Sequence, residues 1–262
     1  MSEGYSVRQL SSQSGHSSAK IYRIINYWLN SSPGIDNNII RNSKYVTFDG
    51  TFLHRPNSLV VLMDARTNTL LKGKFGIREN SEHQLRSFFE PIKNNGFNPK
   101  SFTLDGNPQV IKTVKAIWPG IIVQRCLVHV QRQGLMWCRR FPKRTDAKHL
   151  RELFKQVTYI NTCKERDKFI SGLESWEQKY GCRLDSKPER GKVFSDVKRA
   201  RSMLLKALPD MFHYLDDPDI PKTTNGLEGY FSRLKQNYRN HRGLKPEKRA
   251  NYFKWFFHFK SK

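Results

Sequence analysis

Apolar residues along this chain change their spacing several times, and each change marks a different predicted element. Between Ser6 and Leu29, Val7 and Leu10, then Ile21, Ile24, Ile25 and Trp28, recur at helical intervals on either side of Gly15. This predicts two helices about a tight turn, with Ser17 or Ser18 capping the second. From Tyr45 the rhythm becomes that of strands. Apolar, β-branched runs end at Asp49 and Asp64, and a third spans Leu70 to Ile77 after the turn signal Thr67-Asn68-Thr69. They predict an antiparallel meander. Ser81 to Asn95 then reads as a helix with Leu85, Phe88, Phe89 and Ile92 on one face, stopped by Gly96. A fourth strand ends at Asp105, a helix runs through Val110, Ile111, Val114 and Ile117 to Pro119-Gly120, and Ile121 to Gln124 form a fifth strand.

The predicted order β-β-β-α-β-α-β matches a ribonuclease-H-like α/β topology, a mixed five-stranded sheet with the first and fourth strands adjacent and parallel. The carboxyl ends of neighbouring parallel strands form the usual crevice of α/β sheets, which predicts Asp49 beside Asp105. From about Arg125 to Asp219 the pattern is helical and charged, most clearly over Ala147–Tyr159, Cys163–Tyr180 and Val193–Leu208, as in an all-helical insertion. Thr223 or Thr224 caps a further helix from about Asn225 to Tyr238 that carries Glu228 in its first turns. The expected domains are a helix-turn-helix over 1–30, a linker over 31–43, the first part of the sheet domain over 44–124, the insertion over 125–220, and the completion of the sheet domain with basic, aromatic helices over 221–262. The leading hairpin has two readings: a helix-turn-helix whose second helix enters a major groove, or a plain hairpin packed on the rest of the protein.

Charge narrows the field of partners. The 262 residues hold 47 Lys and Arg against 23 Asp and Glu, a formal net charge of +24, which points to a polyanion. No apolar run approaches the ~20 residues that span a bilayer, and no signal-peptide core is evident. Cys126, Cys138, Cys163 and Cys182 lack Cys-x-x-Cys spacing, so neither a zinc ribbon nor a disulfide framework is indicated, and a reducing, cytoplasmic setting is expected. Lys20 and Arg23 on the second helix, Arg132, Arg139 and Arg140 at the start of the insertion, and Arg233, Arg239 and Arg242 among the C-terminal aromatics are the candidate DNA contacts.

Against this basic background three acids stand out: Asp49 and Asp105, each followed by glycine, and Glu228 in Thr224-Asn225-Gly226-Leu227-Glu228. Carboxylates at strand ends are costly to bury, and three of them make a plausible cage of hard oxygens for Mg²⁺ or Mn²⁺. Taken singly, each Asp-Gly pair is equally a turn. Asp64 should emerge at the other edge of the sheet and serve structure, and Glu79 and Asp196 have similarly weak claims.

Phe48-Asp49-Gly50-Thr51-Phe52, Leu104-Asp105-Gly106-Asn107, Gln124-Arg125-Cys126-Leu127-Val128-His129 and Thr224-Asn225-Gly226-Leu227-Glu228 together resemble the Mutator-type DDE transposases of bacterial insertion sequences. The resemblance implies that Asp49, Asp105 and Glu228 are the acid triad holding two Mg²⁺ or Mn²⁺ ions, Asp49 bridging both. It implies hydrolysis at element ends by water, then attack of the freed 3′-hydroxyl on target DNA. Cys126 and His129 correspond to the family's Cys-x-x-His element; they and Asn225 are supporting residues. For Cys126 and His129, metal ligation and a structural role, a buried thiol beside a hydrogen-bonded imidazole, both stay open. The expected partners are the element's terminal repeats, target DNA and a second copy in a dimer, in a prokaryotic, nucleoid-associated setting. The alternatives are a structure-specific nuclease of the same fold without strand transfer, and a non-catalytic DNA-binding derivative.

Overall fold

Five strands form one sheet: β1 (Tyr45–His54), β2 (Asn57–Asp64), β3 (Leu70–Ile77), β4 (Ser101–Leu104) and β5 (Ile122–Arg125), in the order β3-β2-β1-β4-β5. They belong to a computed structural model that describes residues 3–33, 42–55, 57–182, 184, 192–241 and 243–260. Residues 34–41 of the expected linker, and Arg242, lie outside that set. Among the described residues the helices are α1 (Val7–Ser14), α2 (Ser18–Leu29), α3 (Glu82–Asn94), α4 (Pro108–Ile117), α5 (Leu127–Cys138), α6 (Thr145–Gln156), α7 (Cys163–Trp176), α8 (Lys192–Ala207), the single turn α9 (His213–Asp216), α10 (Asn225–Arg239) and α11 (Pro246–Lys260).

The first three strands are the expected antiparallel meander, with Asp49 opposite Val61 and Val46 opposite Asp64. One expectation fails here. β1 does not end at Asp49 but runs on to His54, because its ladder with β2 continues through Thr51–Leu59 and Phe52–Ser58. That pairing overrides the turn tendency of Asp-Gly, and Asp49 is a mid-strand residue. Asp64 behaves as predicted: it lies near the start of β1, and its Oδ1 accepts from the backbone of Arg66 and Thr67 and from the Thr67 hydroxyl.

The chain divides into two compact units. The first comprises Met1–Phe102, Asn107–Ile121 and Asn225–Lys262. One face of its sheet carries α3 and α4, where Phe48 packs 5.0 Å from Phe89 and Phe89 lies 5.8 Å from Trp118, whose Nε1 donates to the Phe97 carbonyl at 3.0 Å. The other face is covered by α10 and α11: Leu59, Val61, Met63 and Leu70 share a core with Leu227, Phe231, Leu234, Phe253 and Phe256. Apolar residues at i, i+4 and i+7 of α10 form that stripe.

The N-terminal pair is a helical hairpin, α1 and α2 about Gly15 at φ +68°. Ser6 and Gln9 form a capping box and Ser17 caps α2. The predicted apolar face of α2 is only half realised. Ile21 and Leu29 are buried, but Ile24 is 44% and Trp28 46% exposed. The reason is that α2 docks through its C-terminal end on α11: Trp255 Nε1 donates to the Trp28 carbonyl at 2.8 Å, and Asn251 donates to the Leu29 carbonyl at 3.0 Å.

The second unit comprises Thr103–Gly106 and Ile122–Thr224. Its core joins Leu127 and Val130 of α5, Leu150 and Phe154 of α6, Phe169 and Trp176 of α7, and Val197 and Leu204 of α8. Helix α5 lies within the stretch read as helical, although not among the three segments where that pattern is clearest. Arg201 grips Glu177 through Nε and Nη2 at 2.8 Å, and the buried Gln124 amide donates to the Met211 carbonyl at 2.7 Å.

Candidate active site

Asp49 is 8% exposed on β1, and its Oδ1 accepts the Gly50 N–H at 2.8 Å. Residues directly opposed across two strands share a face. Asp49 therefore faces the same way as Val61, whose core partners include Leu227, Tyr230 and Phe231 of α10. Glu228 lies half-buried in the first turn of that helix, immediately after Leu227. Both acids thus belong to the same side of the sheet. Gly50, pointing to the opposite side, is backed by Glu79: a Cβ there would lie 2.2 Å from Glu79 Oε1.

Asp105 follows β4 directly, and its Oδ1 accepts the N–H of Gly106. Beneath this turn lies Arg125, the last residue of β5, 8% exposed and missed by the sequence reading as a site residue. Its Nε donates to the Asp105 carbonyl at 2.9 Å. A Cβ at Gly106 would come 1.8 Å from the guanidinium, and Gly106 holds φ +151°, so this turn requires glycine twice over. Burial lowers the Arg125 pKa, while the charges of Asp105 and Asp210 act to raise it. Arg125 is thus a buried cation that holds the Asp105 main chain and feels the charge of its carboxylate. Its only sequence signal is its place at the end of the neighbouring strand.

Cys126, in the Cys-x-x-His element, is tied into the surrounding main chain. Cys126 is fully buried, its N–H donates to the Leu104 carbonyl at 2.8 Å, and its Sγ accepts from the Thr224 N–H at 3.3 Å and hydroxyl at 3.4 Å. Burial works to raise the thiol's pKa. Hydrogen bonding and charge from His129, with the Thr224 hydroxyl, outweigh it and hold the thiol below the ordinary range. The Leu127 N–H donates to the Lys222 carbonyl at 3.0 Å, and the Thr103 hydroxyl to the Pro221 carbonyl at 2.8 Å. Residues 221–224, which lead straight into α10 and Glu228, are thereby fastened to β4 and the start of α5. Asn225 is the exposed first residue of α10.

The candidate DNA contacts are less uniform. Lys20, Arg23, Arg132, Arg140, Arg233 and Arg239 are exposed. Arg139 is tied to Asp196 at 3.2 Å, which gives Asp196 the structural role expected of it. Among the described residues no group of three or more His, Cys, Asp or Glu side chains is arranged to hold a metal ion, and no helix is long and apolar enough to cross a membrane.

No curated protein matches the chain. The sequence model of the Mutator family of transposases matches residues 70–207. That span contains Asp105, Arg125, Cys126 and His129, and leaves out Asp49 and Glu228. Because the match covers more than half of its length, the chain belongs to the Mutator family of transposases.

Proposed function

We propose that this transposase hydrolyses phosphodiesters at the ends of its own element, as in bacterial insertion sequences, and joins the freed ends to target DNA. Asp49, Asp105 and Glu228 would hold Mg²⁺ or Mn²⁺ in a ribonuclease-H-like domain. Two such ions supply Lewis-acid activation of the attacking oxygen and charge stabilisation at the leaving one. The donor set fits hard divalent cations, being entirely carboxylate oxygen. Arg125 orients the Asp105 turn, and Cys126 anchors the segment that presents Glu228. The hairpin of α1 and α2 and the exposed arginines would bind element ends and target, and a dimer would bring two ends together.

The observation that carries this reading is the placement of Asp49. In a chain of net charge +24, a carboxylate lies buried in the central strand of the sheet, facing the helix that bears Glu228. Strand order 3-2-1-4-5 supports the same fold. The test is incubation of labelled element-end DNA with Mg²⁺, resolving nicked from joined products. Asp49→Asn, Asp105→Asn and Glu228→Gln should each abolish nicking while DNA binding survives. Wild-type cleavage by one of them removes that residue from the site, and nicking without joining by the wild-type protein favours the nuclease alternative.

A further inference from the structure

We propose that α2 and the end of α11 form a stacking platform for an unpaired nucleic-acid strand, distinct from the groove-reading role expected of α2. The proposal rests on the nucleic-acid reading of the family and adds a strand type and a location to it.

A helix that reads a major groove offers polar and basic side chains to base edges. Instead, α2 offers rings: Tyr22 is 56%, Tyr27 71% and Trp28 46% exposed. The row continues onto α11. Tyr27 lies 5.5 Å from Trp28, Trp28 lies 5.1 Å from Trp255, and Trp255 stacks at 5.7 Å and 28° on Phe259, itself 49% exposed. Side chains of this size are rarely left open in a contiguous row without a partner. The main chain beneath them is fixed, because the Trp255 indole N–H donates to the carbonyls of Trp28 and Ser31.

Charge decides the occupant. Helix α2 carries Lys20 and Arg23 and no acid, and α11 carries Lys248, Arg249, Lys254 and Lys260 against Glu247, with Lys260 paired to Glu3 at 3.2 Å. Lys248 and Lys254 donate to neutral acceptors, the Asn26 amide oxygen and the Ser32 hydroxyl, so those bonds leave their charge in place. A second copy of this chain would set Lys20, Arg23 and Lys254 against cations of its own kind, which is repulsive. A single strand satisfies both features at once: its bases stack on the rings and its phosphates meet the cations.

The experiment measures binding of the full chain to labelled oligothymidine and to a duplex at one salt concentration. Tyr27→Ala and Phe259→Ala should each weaken oligothymidine binding roughly 5- to 150-fold, the range for loss of one stacked base, with duplex binding changed less than about 2-fold. Tyr27→Phe should restore it, and wild-type tryptophan fluorescence should be quenched by oligothymidine. Unchanged oligothymidine affinity in both alanine variants overturns the platform. So does loss of self-association in Tyr27→Ala without loss of strand binding, which would assign the rings to a second copy. Wild-type protein that binds duplex but not oligothymidine overturns the platform and leaves the transposase reading standing; absence of any nucleic-acid affinity overturns both.

Discussion

Removing the sulfur of Cys126 tests whether the Cys-x-x-His element is a structural fastening. Cys126→Ala leaves two donors of Thr224, its N–H at 3.3 Å and its hydroxyl at 3.4 Å, without their acceptor, and Thr224 is only 1% exposed. A buried donor left orphaned costs about 1–3 kcal/mol, and sulfur is a weak acceptor, so the low end applies to each. The vacated volume adds about 1 kcal/mol, as for a buried methylene. Together the loss should be roughly 3 kcal/mol, read as a lower urea midpoint at unchanged slope. Cys126→Ser, which keeps an acceptor, should lose less than half as much. Because Thr224 is the residue before α10, the alanine variant should also cleave more slowly than its DNA binding would account for. Stability within about 0.5 kcal/mol of wild type would refute the fastening, as that is the scale of an inconsequential surface change. An EDTA-induced loss of stability that persists in Asp49→Asn but disappears in Cys126→Ala would instead assign Cys126 and His129 to a metal.

Two further perturbations probe the same framework. Gly106→Ala should destabilise by about 2 kcal/mol or more, since its methyl meets the buried Arg125 guanidinium and its φ disfavours a side chain; an unchanged thermal midpoint would contradict this. Asp146 concerns pH: burial opposes its charge, but the Arg144 fork at 2.7 and 3.1 Å and the Ala147 N–H outweigh it and hold its carboxyl below the usual range. The unfolded chain takes up that proton first, so the stabilisation is complete above about pH 3.9 and is lost as pH falls through the folded value. Asp146→Asn should therefore be less stable at neutral pH and show a shallower loss on acidification; identical acid profiles would exclude the coupling.

The meander and the helices α3 and α4 were legible because β-branched runs, caps and glycine stops agreed with one another over Tyr45 to Gly120. Asp49 within a continuing strand was not, since Asp-Gly is a turn signal locally and only the ladder with β2 overrules it. Helix α5 was legible only as part of a broadly helical stretch, because Val128, Val130 and Gly134 are poor helix formers. Gly134 is needed there because the Phe154 ring would lie 2.2 Å from any Cβ. Arg125 was one cation among 47 Lys and Arg until the sheet placed it beneath Asp105. The exposure of Ile24 and Trp28 depends on how little of α2 is covered by α11, a quantity that helical periodicity does not contain.

The first unit closes over its sheet with helices encoded only after residue 224, while Leu59, Val61, Met63 and Leu70 are already in place by the third strand. At a ribosomal pace of about 5–20 residues per second, that apolar surface stays uncovered for roughly ten to thirty seconds of synthesis. A chain truncated before α10 would leave that face without its covering helices for good.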